Sequence, residues 1–450
     1  MGLKVQLPKS VQEILDKFSK ANFEIYVVGG AVRDILMGRL TNDWDFTTNA
    51  TPEEILKIIP DGFYDNVFGT VGIPSEVEGE RPHEITTFRK EEGYLDARHP
   101  SKIVWGKSLT EDLARRDFTI NAIALQFPIS NFQFIDPFDG QKDIKTKLIR
   151  AVRDPNERFS EDALRMMRAI RIAAELGFAI EEKTLEAIKK NATLIGKITK
   201  ERVKEELFKL LKSPYPYEGM LLLRGSGLLQ EILPELEKCF GVEQKSPGRH
   251  HIYDVGEHLL MSLKFCKSQD PLTRFATLIH DIGKPQTYKK LDSGTITFYN
   301  HEMVSTKIAE NIAERLRFSN KEKEKLITLV RWHQFTVDER QTDSAIRRFI
   351  KNVGIENIPD MLALRTGDRL GGGARETSWR LEEFKRRLLE VQKQPFSIRD
   401  LKIDGNDVMQ ILKIKPGPKV GNILEKLFEK VVAKEIPNEK SKLLEKLKTF

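Results

Sequence analysis

Two short segments near the start of the chain carry residue types suited to metal-dependent phosphate chemistry. Gly29-Gly30 follows the apolar run Tyr26-Val27-Val28. Glycines between a buried strand and a helix let the backbone approach a phosphate at the partly positive helix N-terminus. Asp43 and Asp45 come next, and their spacing puts both carboxylates on one side of an extended strand. Carboxylates this close repel each other, so we expect Mg²⁺ to bind there, activate an attacking hydroxyl and hold a triphosphate.

A third segment, Arg115-Arg116-Asp117-Phe118-Thr119-Ile120-Asn121-Ala122, offers groups for a sugar and its phosphates. The planar guanidinium of Arg116 can bind phosphate or hydroxyl oxygens, while Asp117 and Asn121 can hydrogen-bond a ribose 2′-OH. Taken alone, the segment is also consistent with a solvated charge cluster before a strand.

A fourth segment, Glu161-Asp162-Ala163-Leu164-Arg165, is predicted to lie inside a helix that continues through Arg168 and Arg171. Asp162 and Arg165 are three residues apart and would share a helical face. Taken alone, such a pair indicates a surface salt bridge, so its interpretation depends on the motifs around it.

In this order the four segments resemble class II tRNA nucleotidyltransferases and bacterial poly(A) polymerases, within the polymerase-β-like nucleotidyltransferases. The resemblance implies that Asp43 and Asp45 hold Mg²⁺. It also implies that Asp162 and Arg165 form a protein template for the Watson–Crick edge of CTP or ATP. The other nucleotide-binding residues that it implies are Gly29, Gly30, Arg33, Asp34, Arg116, Asp117, Asn121 and Arg168. Glu84, in a segment that alternates like a strand, is a candidate third catalytic carboxylate.

Two further segments are similar to less specific parts of this family. Residues Glu91 to Pro100 look like its flexible loop, which helps to switch the site from CTP to ATP. The presence of this loop favours full CCA addition over addition of C residues alone. Residues Glu201 to Leu207 resemble the last family motif, a helical segment that we expect to brace the template helix rather than to take part in the chemistry.

Histidines concentrate in the second half of the chain, where six of the eight lie between His250 and His333. Their arrangement resembles the HD phosphohydrolase domain, a helical fold that binds divalent metal through a histidine, a His-Asp pair and a distal aspartate. Such ligands suit Mn²⁺, Ni²⁺, Fe²⁺, Zn²⁺ or Mg²⁺, and a metal-bound water becomes nucleophilic near neutral pH. The candidate ligands are His258, His280, Asp281, His301, His333 and Asp368.

Composition favours an RNA partner and a reducing compartment. The chain has 450 residues and a formal net charge of +7, the sign that RNA binding requires. Cys239 and Cys266 provide neither a disulfide framework nor zinc-site spacing. A cleavable signal and a membrane-spanning apolar run are both absent from the sequence, so we expect a cytoplasmic protein without a membrane partner.

The predicted fold class is α+β. A polymerase-β-like nucleotidyltransferase head with a small mixed sheet precedes all-helical neck, body, HD-like and tail regions. The predicted ranges are 1–149 for the catalytic head, 150–212 for the neck with the template helix, 213–248 for the body and linker, 249–390 for the HD-like metal-binding domain and 391–450 for a tail that contacts tRNA.

The predicted function is that of a CCA-adding tRNA nucleotidyltransferase. It would build or repair the 3′-terminal CCA from CTP and ATP without a nucleic-acid template, binding the 3′ end and acceptor arm of tRNA. Partial enzymes that add only CC or only A, a poly(A) polymerase, and an HD-type phosphohydrolase that acts on RNA ends are the alternatives. The Asp162 and Arg165 match argues against a poly(A) polymerase, and intact Asp43 and Asp45 argue against an inactive head.

Overall fold

The computed structural model describes residues 7–41, 43–64, 69–74, 82–94, 100–106, 108–127, 132–244, 252–335, 341–392, 398–433 and 435–450. A head containing a small mixed sheet is followed by a long series of helices, so the predicted α+β fold class is confirmed. Among the described helices, none has both the length and the apolar character needed to cross a membrane.

The head is organised around a seven-stranded sheet. In chain order the strands of the protein are β1 (Ile25–Val28), β2 (Asp45–Thr48), β3 (Phe63–Tyr64), β4 (Thr70–Ile73), β5 (His83–Thr87), β6 (Arg89–Tyr94), β7 (Pro100–Trp105), β8 (Ala124–Gln126), β9 (Gln133–Ile135), β10 (Leu148–Ile149), β11 (Ala179–Ile180), β12 (Lys289–Lys290) and β13 (Ile296–Thr297). The head sheet has the order β3-β4-β5-β2-β1-β8-β9, and only the pairing of β2 with β5 is parallel. All four residues of β1 are buried, as expected for a central strand covered on both faces.

Helices connect the head strands and make up most of the remaining chain. They are α1 (Lys9–Lys20), α2 (Gly30–Leu36), α3 (Pro52–Ile58), α4 (Leu109–Ala114), α5 (Gly140–Thr146), α6 (Pro155–Glu161), α7 (Leu164–Leu176), α8 (Glu182–Asn191), α9 (Lys200–Lys212), α10 (Pro216–Gly225), α11 (Leu228–Ile232), α12 (Pro234–Glu237), α13 (Val255–Phe265), α14 (Pro271–Ile279), α15 (Lys284–Thr287), α16 (His301–Arg315), α17 (Asn320–Trp332), α18 (Asp343–Val353), α19 (Ile358–Gly371), α20 (Trp379–Gln392), α21 (Gly405–Leu412), α22 (Pro418–Val432) and α23 (Lys440–Leu447). Capping boxes at Thr51, Asp254 and Ser319 fix where α3, α13 and α17 begin.

Apolar packing joins the head to the helices that follow it. One continuous core runs from Leu7 to Val391 and includes both the sheet and the helices up to α20. The tail helices α21, α22 and α23 pack around a separate cluster that includes Val408, Leu427 and Leu443. The five predicted domain ranges stay a prediction.

Helix α9 packs against both the head-side helix α7 and the later helix α14. Glu206 of α9 accepts a hydrogen bond from Arg171 of α7 at 2.6 Å. Lys204 of α9 lies 3.1 Å from Glu322 in the first turn of α17. Helix α9 therefore contacts both α7, which follows the head, and the later helices α14 and α17.

The predicted continuous helix through Asp162 is wrong at that residue. Helix α6 ends at Glu161, Asp162 has φ −142° and ψ 103°, and α7 begins at Leu164. The Asp162 carboxylate accepts a hydrogen bond from the Leu164 amide at 3.0 Å. An aspartate side chain competes for backbone amides in this way and favours a cap over a helix interior. Asp162 therefore lies in a break between two helices, with Arg165 one turn beyond it.

Candidate active site

The central strands of the head place two carboxylates side by side. Asp45 begins β2, in register with Val28 on β1 and with Glu84 on the parallel strand β5. Because neighbouring residues in register direct their side chains to one face, Asp45 and Glu84 lie beside each other. Asp43 lies just before β2 and acts electrostatically on Asp45. All three predicted metal-binding carboxylates thus converge, and they provide the oxygen ligands that a hard divalent cation requires.

The charge balance at Asp45 also suits a cation. Burial, followed by the charge of Asp43, raises the pKa of Asp45 to about 6, with Glu84 adding to the rise and Arg116 opposing it. A divalent cation would offset both the burial cost and the repulsion between the carboxylates. The residues present therefore fit a divalent metal at this position.

Gly29 brings the backbone close to these charged groups. It occupies the N-cap position of α2 with φ 76° and ψ −140°, a conformation that favours glycine. A Cβ atom at Gly29 would lie 3.3 Å from Nη1 of Arg116 and 3.4 Å from Oδ2 of Asp45. Glycine at this position therefore leaves a narrow gap between the start of α2 and the two side chains.

A hydrogen-bonded chain links the predicted sugar-binding residues. Arg168 donates to Oδ2 of Asp117 through Nε at 2.9 Å and Nη2 at 2.6 Å. Asn121 donates to Oδ1 of Asp117 at 3.1 Å, and Arg33 donates to Oδ1 of Asn121 at 3.0 Å. Burial alone would raise the pKa of Asp117, but Arg168 outweighs it and holds that pKa well below its usual range. Arg33 also pairs with Asp34 at 3.0 Å.

The two predicted template residues are held by different partners. Oδ2 of Asp162 accepts from Arg202 of α9 at 2.9 Å. Arg165 donates to the backbone carbonyls of Arg115 at 3.0 Å and Arg158 at 3.1 Å, and to the Glu161 carboxylate at 2.6 Å. Each side chain therefore has a fixed direction that does not depend on a salt bridge between the two.

Most of these groups line one cavity of about 260 Å³. Its lining residues are Gly29, Gly30, Asp45, Arg115, Arg116, Asp117, Asn121, Asp162, Arg165, Arg168 and Arg202. The metal-binding, phosphate-binding and template segments predicted from sequence thus meet in one place. Arg33, Asp34, Asp43 and Glu84 are not among the lining residues.

Three residues in or beside this site are not among the binding residues predicted from the sequence. Arg115 and Arg202 line the cavity, although the segment around Arg202 was expected only to brace the template helix. Asp112 is fully buried and pairs with both Arg115 and Arg116. Its spacing of three and four residues before the two arginines, on a helix, was a signal that could have identified it.

The six predicted ligands in the second half of the chain also come together. His258 lies in α13, His280 and Asp281 follow α14, His301 begins α16, His333 follows α17 and Asp368 lies in α19. We call this set the histidine cluster. Two groups within it have ligand atoms close enough together to hold a metal ion. These groups are His258, His280 and Asp368, and His280, Asp281 and His333.

Distances within the histidine cluster centre on Asp281. Its Oδ1 atom lies 3.0 Å from Nε2 of His301 and 3.4 Å from Nε2 of His333. Its Oδ2 atom lies 3.4 Å from Nε2 of His258 and 3.3 Å from Nε2 of His280. Burial would lower the pKa of His280, but Asp281 outweighs it and raises that pKa to about 10.

Backbone hydrogen bonds orient three of these imidazoles. Nδ1 of His280 lies 2.8 Å from the Thr277 carbonyl, and Nδ1 of His333 lies 2.7 Å from the Val330 carbonyl. Nδ1 of His301 lies 2.8 Å from the carbonyl of the residue three positions before it. Because a carbonyl can only accept, Nδ1 carries the proton and Nε2 presents its lone pair toward the cluster when the ring is neutral. This arrangement fits a divalent metal.

A second cavity, of about 450 Å³, opens beside the histidine cluster. Lys284 and Arg365 line it, and neither was predicted as a site residue. Nζ of Lys284 lies 2.6 Å from Oδ2 of Asp281, and Arg365 donates to Oδ2 of Asp368 at 2.9 Å. The positively charged side chains of Lys284 and Arg365 therefore lie next to the candidate metal ligands.

The predicted flexible loop falls partly outside the described residues. Strand β6 ends at Tyr94, strand β7 begins at Pro100, and the two strands pair in antiparallel. Residues 95–99 between them lie outside the described part of the chain.

Family models match three parts of the chain. The Poly A polymerase head domain matches residues 25–150, which contain the sheet and the carboxylates. The RNA and SrmB-binding site of polymerase A matches residues 177–240. The tRNA nucleotidyltransferase domain 2 matches residues 295–447.

Similar proteins cover nearly the full length of the chain. The CCA-adding enzyme of Pediococcus pentosaceus is 32% identical over 97% of this chain and 96% of its own length. That of Ligilactobacillus salivarius is 34% identical over 98% and 96%. The crystal structure of the Bacillus stearothermophilus CCA-adding enzyme in complex with CTP has a TM-score of 0.69 at 28% identity and covers 98% of this chain and 97% of its own. The chain therefore belongs to the family of CCA-adding enzymes and is a divalent-metal-dependent nucleotidyltransferase.

Proposed function

We propose that this chain builds or repairs the 3′-terminal CCA of tRNA from CTP and ATP in the head cavity, with Mg²⁺ as its metal. The observation that carries the proposal is the meeting of Asp45, the Gly29-Gly30 turn, Asp162 and Arg165 around one cavity. A single site can then receive the triphosphate and the base of the same nucleotide. The curated relatives named as CCA-adding enzymes support this proposal.

The head residues provide binding, orientation and charge. Asp45, together with Asp43 and Glu84, would hold the metal. When bound, the metal lowers the pKa of the RNA 3′-hydroxyl and neutralises charge on the departing pyrophosphate. The backbone at Gly29 and the guanidinium of Arg116 would hold the triphosphate so that its α-phosphate faces the hydroxyl in line. Catalysis by these residues would consist mainly of positioning and electrostatic stabilisation.

Sugar and base would be recognised on the neck side of the cavity. Asp117 and Asn121 would hydrogen-bond the ribose, with Arg33 and Arg168 holding them in place. The Asp162 carboxylate would accept from the exocyclic amino group that cytosine and adenine share, and Arg165 would donate to a ring acceptor. Reading the base by side chains removes the need for a nucleic-acid template.

Supplying CTP and ATP separately tests the order in which the protein adds C and A. The protein would be incubated with tRNAs that end before the first C, after C and after CC, each with CTP alone or ATP alone. We expect CTP to be used on the first two tRNAs and ATP on the third. Use of ATP on the first two would favour a poly(A) polymerase, and failure with one nucleotide throughout would favour a partial enzyme.

Metal binding at the head should weaken as the solution becomes acidic. A proton and the cation compete for Asp45, so affinity is present above its pKa of about 6 and is lost as the pH falls through that value. The apparent dissociation constant for Mg²⁺ should rise roughly tenfold for each pH unit below it. Initial rates of CTP addition, measured against Mg²⁺ concentration at several pH values, would give this constant. A constant that does not change with pH would contradict the expectation.

We propose a second function for the histidine cluster, as a divalent-metal site for hydrolysis of phosphate esters at RNA ends. The observation that favours it is the set of three imidazoles with Nδ1 fixed by backbone carbonyls and Nε2 turned toward Asp281. Lys284 and Arg365 would hold phosphate oxygens in the adjoining cavity. The metal would be Mn²⁺, Ni²⁺, Fe²⁺, Zn²⁺ or Mg²⁺, since imidazole and carboxylate together accept all of them.

His280 offers the sharpest test because both candidate metal groups contain it. We expect His280→Ala to lose nearly all transition metal that the wild-type protein retains after gel filtration, as measured by elemental analysis. His83→Gln, at a buried histidine in the head sheet, is the matched control and should retain the metal. Equal metal content in wild type and His280→Ala would contradict the site, whatever the hydrolytic activity.

A further inference from the structure

Asp112 is a fully buried carboxylate on helix α4 that pairs with two arginines of the head cavity. Its Oδ1 atom accepts two hydrogen bonds from Arg115, through Nε at 2.9 Å and Nη2 at 2.7 Å. Its Oδ2 atom lies 3.6 Å from Nη2 of Arg116. Burial alone would raise the pKa of Asp112, but the two arginines outweigh it and keep that pKa below its usual value. Asp112 is therefore an anion at neutral pH.

The same carboxylate is tied to the metal-binding strands. Oγ1 of Thr47, on β2, lies 3.1 Å from Oδ2 of Asp112 and 3.1 Å from the Thr86 carbonyl oxygen of β5, so its one proton is within reach of both acceptors. Thr47 is two residues from Asp45, and Thr86 is two residues from Glu84, so each lies on the same strand face as its acidic neighbour. Asp112 thus connects the arginines to the two strands that carry the carboxylates.

Both arginines that pair with Asp112 line the cavity, and Arg116 is the one that reaches Gly29 and Asp45. Its Nη1 atom approaches the Gly29 backbone, where a Cβ would be only 3.3 Å away. Its Nε atom is buried and has no hydrogen-bond partner among the described residues. The Arg116 side chain is therefore oriented by Asp112 on one side, while its other face meets the start of α2 and Asp45.

We propose that Asp112 is a positioning residue for nucleotidyl transfer, holding the Arg116 guanidinium in the direction that aligns the triphosphate with the metal-binding strands. This inference rests on the proposed function of the head. Asp112 does not touch the substrate, and it acts through Arg116. Losing its charge should leave nucleotide binding largely intact, because the guanidinium charge stays in the cavity, but should misalign the α-phosphate.

Asp112→Asn in the full-length protein tests the proposal, since it keeps the size of the side chain and removes its charge. We expect kcat for CTP addition to fall by about tenfold or more, while the Kd for CTP, measured by calorimetry without tRNA, changes by less than about threefold. In a background that already carries Arg116→Ala, Asp112→Asn should lower kcat by no more than about twofold, since residues that act as a unit are not additive.

Asp143→Asn is a closely matched control. Asp143 is also buried in the head and also pairs with an arginine and a threonine, Arg150 at 3.0 Å and Thr119 at 2.7 Å. Unlike the two arginines that pair with Asp112, Arg150 does not line the head cavity. Its loss should lower the thermal midpoint as much as Asp112→Asn does, with kcat within about twofold of wild type per folded molecule.

The possible outcomes separate this inference from the proposed function. Wild-type protein that adds no nucleotide would overturn the proposed function itself. Wild-type activity with an unchanged kcat in Asp112→Asn would overturn only the role of Asp112. So would a kcat that falls equally in both Asp variants, or a full further loss in the Arg116→Ala background.

Discussion

Replacing Asp45 by asparagine should reduce nucleotide addition by about a thousandfold or more. A catalytic metal contributes several kcal/mol of transition-state stabilisation, and about 1.4 kcal/mol corresponds to tenfold in rate. Asp45 is the carboxylate that both faces Glu84 in the sheet and lines the cavity. Asparagine has the same shape but lacks the charge that holds the cation, so the fold should persist while the chemistry stops.

The measurement for Asp45→Asn is the single-turnover rate of CTP addition at saturating Mg²⁺, together with tRNA affinity from filter binding. Affinity for tRNA should stay close to wild type, since the tRNA contacts expected in the tail lie elsewhere. Asp61→Asn, at an exposed aspartate of the head, is the control and should behave as wild type. A rate for Asp45→Asn within tenfold of wild type would remove Asp45 from the metal site.

Arg165→Ala should blur the choice between CTP and ATP. Arg165 is directed into the cavity region by the carbonyls of Arg115 and Arg158, so its guanidinium has a defined orientation for a base edge. A well-placed pair of hydrogen bonds to a base is worth about 1–3 kcal/mol of discrimination, which corresponds to about fivefold to 150-fold in preference. Cytosine and adenine present the same donor and acceptor at different positions relative to the sugar, so a fixed guanidinium distinguishes them by position, and its loss should cost selectivity more than it costs maximal rate.

The ratio of kcat/KM for CTP to that for ATP, on a tRNA that ends before the first C, measures this effect. Arg224→Ala removes an arginine outside the cavity and should leave the ratio unchanged. Since Arg165 also holds α4 and α6 together, the thermal midpoint must be followed in parallel. Wild-type selectivity in a folded Arg165→Ala protein would contradict the template assignment.

Local patterns in the sequence predict the residues that line the head cavity except Arg115 and Arg202. The spacing of Asp43 and Asp45 predicts carboxylates on one strand face, because alternation is a property of any strand. What spacing cannot supply is the register between strands. Glu84 lies beside Asp45 only because β2 and β5 pair in parallel at those two positions, and such pairing depends on the packing of the whole sheet.

The template segment shows where sequence periodicity fails. Asp162 and Arg165 have helical spacing, but the Asp162 side chain captures the Leu164 amide and the helix breaks there. Arg202 holds the other carboxylate oxygen from a distant helix. A contact between residues so far apart in the chain has no local signature.

In the histidine cluster, too, the sequence predicts the residues but not their orientation. Residue types and order predict six candidate ligands, since imidazole and carboxylate are the chemistry that a divalent metal requires. Five of them belong to the two groups close enough to hold a metal ion, and His301 lies 3.0 Å from Asp281. The orientation of the rings came only with the structure. His280, His301 and His333 each lie three residues after the carbonyl that fixes Nδ1, a geometry set by where the adjoining helices begin and end.

The central claim is that one cavity completes the whole CCA sequence and then stops. The most direct test is to incubate the protein with Mg²⁺, CTP and ATP together, using a tRNA that lacks all three nucleotides, and to sequence the 3′ ends. We predict that the ends accumulate at CCA, with no further extension. Ends that stop at CC, that carry A without C, or that run on into a tail of A residues would contradict the claim.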